Sequence, residues 1–261
     1  MSNQYIDGVF NYCDRWCERC PLTARCRLFA IQEEFQRSDD LNAAFWKVFD
    51  NLADRESASW SEELDQVGEA EHESWLPGLD DWTPSEFERI EEDDPAARLA
   101  CAYRLAADHW LKQEPDSDAE PSVEVTAAPH EIRREDALEV VSWYAPQIGV
   151  KLIRALSSQA ELEEEQRFRD DVDMGALITE GDELRDASLE AATDDRDGSA
   201  KVALIGIERS LGAWTVLRGY YSKHDATIRD FQKMLARLRR HIDEHIPGAR
   251  TFQRPGFEYE V

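Results

Sequence analysis

Residues 12–26 read YCDRWCERCPLTARC and gather Cys13, Cys17, Cys20 and Cys26, four of the chain's five cysteines, into one arginine-rich stretch. Thiolates are the strongest metal donors among ordinary side chains, and four of them complete the shell of a zinc ion or grip the irons of an iron–sulfur cluster. Arg15, Arg19, Arg25 and Arg27 flank the set. Cationic neighbours favour thiolate over thiol and offset the charge of a four-thiolate site. Trp16 and Phe29 could shield such a site from water.

The spacing is Cys-x3-Cys-x2-Cys-x5-Cys. Cysteines at i, i+4 and i+7 share one face of a helix, which predicts a helix through Cys13–Cys20, ended by Pro21, with the turn PLTAR bringing Cys26 back. In that helix the Cα atoms of Cys13 and Cys20 lie about 10 Å apart at 1.5 Å rise per residue. Four sulfurs around one zinc sit at about 2.3 Å from it, too tight for such a span. A continuous helix therefore favours a cubane iron–sulfur cluster, with each thiolate on its own iron. A helix ending near Cys17 leaves a Cys-x2-Cys knuckle and restores zinc. The Cys20–Pro21 step occurs in cluster-binding runs, but the x3 and x5 gaps differ from the bacterial ferredoxin pattern. The competing readings are ordinary buried cysteines or a redox-sensing thiol cluster. Cys101, in the apolar run RLACAYRL, reads as a core residue.

Other constellations are thinner. His241 and His245 stand at i and i+4 in HIDEH, the helical spacing of a metal pair, but near a helix C-terminus, where the dipole favours histidine anyway. EAEH, residues 69–72, is a single Glu-x-x-His where a di-iron bundle needs two. Glu208 interrupts an apolar helix, in line with Lys201, Leu204, Leu211 and Arg218, and Glu139 and Lys151 interrupt another. Buried charges need partners, so Glu208 should pair with an Arg or Lys; a polar pocket that Asp108 and His109 could join is the alternative. No phosphate loop, nucleophile elbow or dinucleotide fingerprint is present, so the sequence names no reaction.

The elements that must carry these residues read as helices from end to end, an all-α multi-helix bundle. Asp94 before Pro95 starts a helix to about Lys112, and Thr83-Pro84-Ser85-Glu86 forms a capping box. Further starts fall near Ser38 and at Ser222 or Asp225. Ile228, Phe231, Leu235, Leu238, Ile242 and Ile246 make one apolar seam, opposite Arg237 and Arg240, on a last helix stopped by Pro247 and Gly248. Two segments, 137–156 and 200–221, are apolar nearly all round and belong at the bundle's centre. Pro146 should kink or break the first, and Gly206 and Gly212 should admit a close neighbour to the second. Residues 61–95 and 161–198 are acid-rich and read as peripheral. Residues 114–130 are a possible linker, with PSVEVTAAP (121–129) as an extended connector. We expect a single helical domain over residues 1–261, with a cysteine-bearing helix pair in residues 1–36.

Composition narrows the function classes. The formal net charge is −26, with 56 acidic side chains against 30 basic, of which only six are lysine. Such a surface repels phosphates, which argues against binding nucleic acid or an anionic membrane. Many acids with few lysines suit concentrated salt, or an acidic surface set by partners. The N-terminus lacks the basic start and apolar run of a signal peptide, and no stretch is apolar enough for a membrane span, so a cytoplasmic protein with reduced thiols is expected.

YCDRWCERC near the N-terminus, together with DGSAKVALIGIERS late in the chain, resembles bacterial proteins of similar length that carry this four-cysteine segment. The resemblance implies a bacterial source and transfers no fold, substrate or cofactor. The sequence thus points to a metal-binding helical protein, probed first for an iron–sulfur cluster used in electron transfer or sensing. The alternative is a non-enzymatic protein-interaction module fixed by zinc or by free thiols.

Overall fold

A computed structural model describes residues 4–36, 94–113, 133–171 and 180–258, with side chains 34–36, 169–171 and 180–185 left aside. The capping box at Thr83, the start near Ser38, the acidic run 61–93 with its Glu69 and His72, and the connector 114–130 fall outside the described residues. The helices are α1 (Arg27–Gln36), α2 (Pro95–Lys112), α3 (Arg134–Asp171), α4 (Glu180–Tyr220), α5 (Asp225–His245) and the single turn α6 (Gly248–Thr251). Among the described residues there is no β-strand, and the fold is an all-α bundle.

The chain divides into two compact units. One comprises residues 1–10 and 17–84, the other 11–16 and 85–261. In the first, Ile6 and Val9 are buried and the Ile6 N–H donates to the Arg25 carbonyl at 3.0 Å, closing the N-terminal segment over the turn that precedes α1.

The second unit is built on α3 and α4, whose shared interface is the largest in the fold. α2 packs on α3 and α5, and α4 also meets α5 and α6. The apolar segments expected at the centre are there, within longer helices. Their acid-rich continuations extend the same helices, α3 out to Asp171 and α4 back to Glu180. Ile148, Leu152, Leu204, Ile207, Trp214 and Leu217 are wholly buried. Gly206 lets the two backbones approach: a Cβ there would stand 3.0 Å from Tyr144 and 3.1 Å from Ile148. Gly212 does not serve this purpose, because it faces solvent with nothing within 4 Å. Nor does Pro146 break α3. The proline sits on the exposed face, where water can satisfy the carbonyl it orphans, while packing on α4 supports the helix on either side.

The end signals of α2 act as read. The Asp94 carboxylate accepts from the Ala96 and Ala97 N–H groups at 2.7 and 3.0 Å, with Pro95 in the first turn. α5 differs at its start. Ser222–His224 form a separate 3-10 turn, and neither Ser222 nor Asp225 caps the helix. Asp225 pairs instead with Arg218 and Arg229, at 2.9 and 2.7 Å. The six residues of the α5 seam are all buried. They close over an aromatic layer in which Trp214 lies 4.7 Å from Phe231 and donates its indole N–H to the Tyr103 hydroxyl at 3.0 Å.

Candidate functional site

No α-helix runs through the cysteine segment. Cys13 ends a turn, residues 14–16 are irregular, and Cys17–Arg19 form a 3-10 turn closed by the Cys20 N–H on the Cys17 carbonyl at 3.2 Å. A second 3-10 turn, Thr23–Arg25, follows, and α1 begins only after Cys26. The expected helix is absent because Asp14 and Trp16 are engaged elsewhere, as described below. Arg15 bridges them with a left-handed φ of 59°, which a helix forbids.

This local geometry bears on what the thiols can hold. The turn places Cys17 at its start and Cys20 directly after its end, joined by the Cys20 N–H bond to the Cys17 carbonyl. The Cys20 Sγ accepts the Leu22 N–H at 3.4 Å. Cys26 precedes α1, and its carbonyl takes the Ala30 N–H at 3.1 Å. All five cysteines are outside disulfides and half-buried, Cys101 included. Among the described residues, no three His, Cys, Asp or Glu side chains stand together as a metal-binding group.

The stretch around Cys13 is pinned to α3 and α4. Asp14 is the centre of the clamp: its Oδ2 accepts from the Tyr144 hydroxyl and, at 2.8 Å, from Arg209 Nη1. The Asp14 carbonyl takes the Trp143 indole N–H at 3.0 Å. Trp16, 6% exposed, stacks on Trp143 at 5.2 Å and meets Tyr144 edge-on at 5.8 Å. Tyr12 lies edge-on to Phe252 at 4.8 Å. Lys151, also 6% exposed, donates to the Asn11 carbonyl at 3.2 Å. Burial, then the neighbouring Arg154, holds the Lys151 ammonium below its ordinary range, while the Cys13 thiol pulls it back up. Burial pushes the Tyr144 phenol well up, and the Asp14 carboxylate adds to this.

The remaining sequence candidates resolve into structural roles. Glu208 is exposed rather than buried and pairs with Arg250 at 2.7 Å, which also holds Asp243 at 2.7 Å. Its position in the apolar run lies on the outer face of α4. Glu139 is likewise exposed, and Asp108 and His109 face solvent, bonded to Lys112 and Gln113 one turn on. His241 and His245 stack at 4.3 Å with ring planes 17° apart. His245 Nδ1 pairs with the His241 carbonyl at 2.9 Å, and His241 Nε2 is buried with no hydrogen-bond partner among the described residues. Near-parallel rings aim their lone pairs side by side rather than at one ion. Burial, with His245 beside it, keeps His241 below the usual imidazole range.

Sequence reasoning missed the Asp14–Tyr144–Arg209 clamp and the half-buried Arg154–Asp195 pair, which Ser158 joins at 3.1 Å. One signal was available. Asp14 is an acid among arginines two residues before a tryptophan, and Trp143-Tyr144 are amphipathic rings in an otherwise aliphatic run. No protein-family model, curated protein or solved structure matches the chain.

Proposed function

We propose that this is a metal-binding helical protein whose N-terminal segment holds one ion through Cys17, Cys20 and Cys26, with Cys13 as the fourth thiolate by its spacing. The observation that carries the reading is the Cys17–Cys20 turn, closed by a backbone bond and with the Cys20 sulfur already accepting a backbone N–H. A turn of this kind gives two sulfurs to one ion, and metal binding then contributes to folding the segment that supplies Cys26. The span that disfavours a single ion belongs to a continuous helix through Cys13–Cys20, and the segment is not one. Zinc is therefore the first reading, as a structural ion in a module that meets a protein partner. The second reading is an iron–sulfur cluster for electron transfer or sensing, favoured by the arginines that would offset its charge and by the Cys20–Pro21 step.

Elemental analysis and absorption spectroscopy of anaerobically purified protein test this. One zinc per chain and no visible absorption is the expected result. Iron with acid-labile sulfide and a broad visible band selects the second reading. Metal content unchanged by Cys20→Ser, or no bound metal at all, overturns both.

A further inference from the structure

A hollow of about 480 Å³ opens where α2 ends and α3 begins, away from any cysteine. Its floor is apolar and aromatic: Trp110, Leu138 and Tyr221, with both aromatic residues 4% exposed. Its rim is polar and more exposed: Arg134, Glu139 and Ser142. The floor is rigid before any ligand arrives. The Trp110 indole N–H donates to His224 Nδ1 at 3.3 Å, and its ring packs edge-on against Tyr221 at 5.0 Å and Trp214 at 5.2 Å. The rim comes from one helix. Arg134, Leu138 and Ser142 repeat every four residues, so they line one face of α3, and Glu139 borders it.

We propose that this hollow binds a small zwitterion with an apolar or aromatic body, of the amino-acid class. An aromatic floor takes the body, and fixed ring faces cost little ordering on binding. The rim charges decide the rest. A ligand with only a positive charge meets Arg134. A ligand with only a negative charge meets Glu139, with Glu135 beside it, in a chain of net charge −26. A ligand carrying both places its carboxylate toward Arg134 and its ammonium toward Glu139. Arg134 now pairs with Glu135 on its own helix, at 2.9 Å and in an exposed setting. That pair is weak enough to yield to a ligand carboxylate.

The test compares L-phenylalanine with phenethylamine, which keeps only the cation, and 3-phenylpropionate, which keeps only the anion. Calorimetry and tryptophan fluorescence follow binding to the full chain. L-Phenylalanine should saturate and bind at least tenfold tighter than either analogue. Glu139→Gln should weaken it about fivefold without weakening the anion, and Arg134→Gln should do so without weakening the cation. Both substitutions sit on the rim rather than in the core, and circular dichroism checks the fold. No saturable binding of the zwitterion, equal binding of all three probes, or binding indifferent to both substitutions overturns the proposal.

Discussion

The clamp on residues 11–16 rests on one carboxylate, and its strength can be worked from its contacts. Asp14 accepts three hydrogen bonds: from the Tyr144 hydroxyl, from Arg209 at 2.8 Å, and from the Trp16 N–H at 3.3 Å. A hydrogen bond to a charged group contributes about 1.5 to 3 kcal/mol. The Tyr144 bond belongs in that range, because the Asp14 side chain is only 15% exposed. The Arg209 side chain is 53% exposed, so its ion pair is screened and contributes about 0.5 to 1 kcal/mol. Asp14→Ala should therefore cost about 3 kcal/mol, Tyr144→Phe about 2, and Arg209→Met about 1. The first two should not add. Their double mutant should be more stable than the sum by about 1.5 kcal/mol, since each removes the same bond. Urea unfolding followed by circular dichroism at neutral pH measures the cycle. Raising the salt concentration should weaken the Arg209 contribution and leave the Asp14–Tyr144 coupling nearly intact. An Asp14→Ala cost below about 0.5 kcal/mol, the scale of a bland surface substitution, would refute the clamp. So would a coupling indistinguishable from zero.

Burial pushes the Tyr103 phenol up to about 12, so the unfolded chain ionises near the ordinary value of 10 while the folded chain does not. Its stabilisation is complete below pH 10 and is lost as pH rises toward 12, a fall of about 2 to 3 kcal/mol. Tyr103→Phe should lower stability at neutral pH by about 1 to 2 kcal/mol, because it orphans the Trp214 N–H, yet flatten the alkaline decline between pH 10 and 12. Thermal melts across that range check both halves. Gly212→Ala should stabilise by about 0.5 to 1 kcal/mol, since a methyl group there meets nothing and the helix gains propensity. A lowered melting temperature would contradict it. Gly198→Ala should do the opposite. Its Cβ would overlap the Tyr12 ring, so Tyr12 must leave its place against Phe252, and acrylamide quenching of Trp16 should increase as the clamp loosens.

The fold was legible wherever pattern and burial coincide. The α5 seam is spaced at three and four residues and every member is buried, because a helix on the rim of a bundle has one inward face. Asp94-Pro95 fixed the start of α2 through a side-chain bond that local sequence fully specifies. What failed was set by distant partners. The cysteine spacing matched a helical stripe, but Asp14 and Trp16 gain more from Tyr144, Arg209 and Trp143 than a helix could give them, and no local pattern records that. Glu208 read as buried because its neighbours are apolar, yet α4 is long enough to turn one exposed face through that run. No local pattern singled out Arg134, and Glu139 read only as a charge interrupting an apolar helix, since the aromatic floor beneath them comes from residues 110 and 221.

Arg15 gives the last test. A non-glycine residue at φ 59° costs about 1 to 3 kcal/mol and persists only where contacts over-determine it. Here they are Tyr144 and Arg209 on Asp14, Trp143 against Trp16, and Lys151 on the Asn11 carbonyl. None of these contacts involves a thiol. The backbone that carries Cys13 is therefore held by helix packing on α3 and α4. Replacing all four N-terminal cysteines by serine, or stripping metal with a chelator, should leave the near-ultraviolet dichroism of the Trp16–Trp143 stack unchanged. Asp14→Ala should abolish that signal while the thiols remain. If chelation collapses the stack as Asp14→Ala does, the ordering of residues 11–16 depends on metal and not on the clamp.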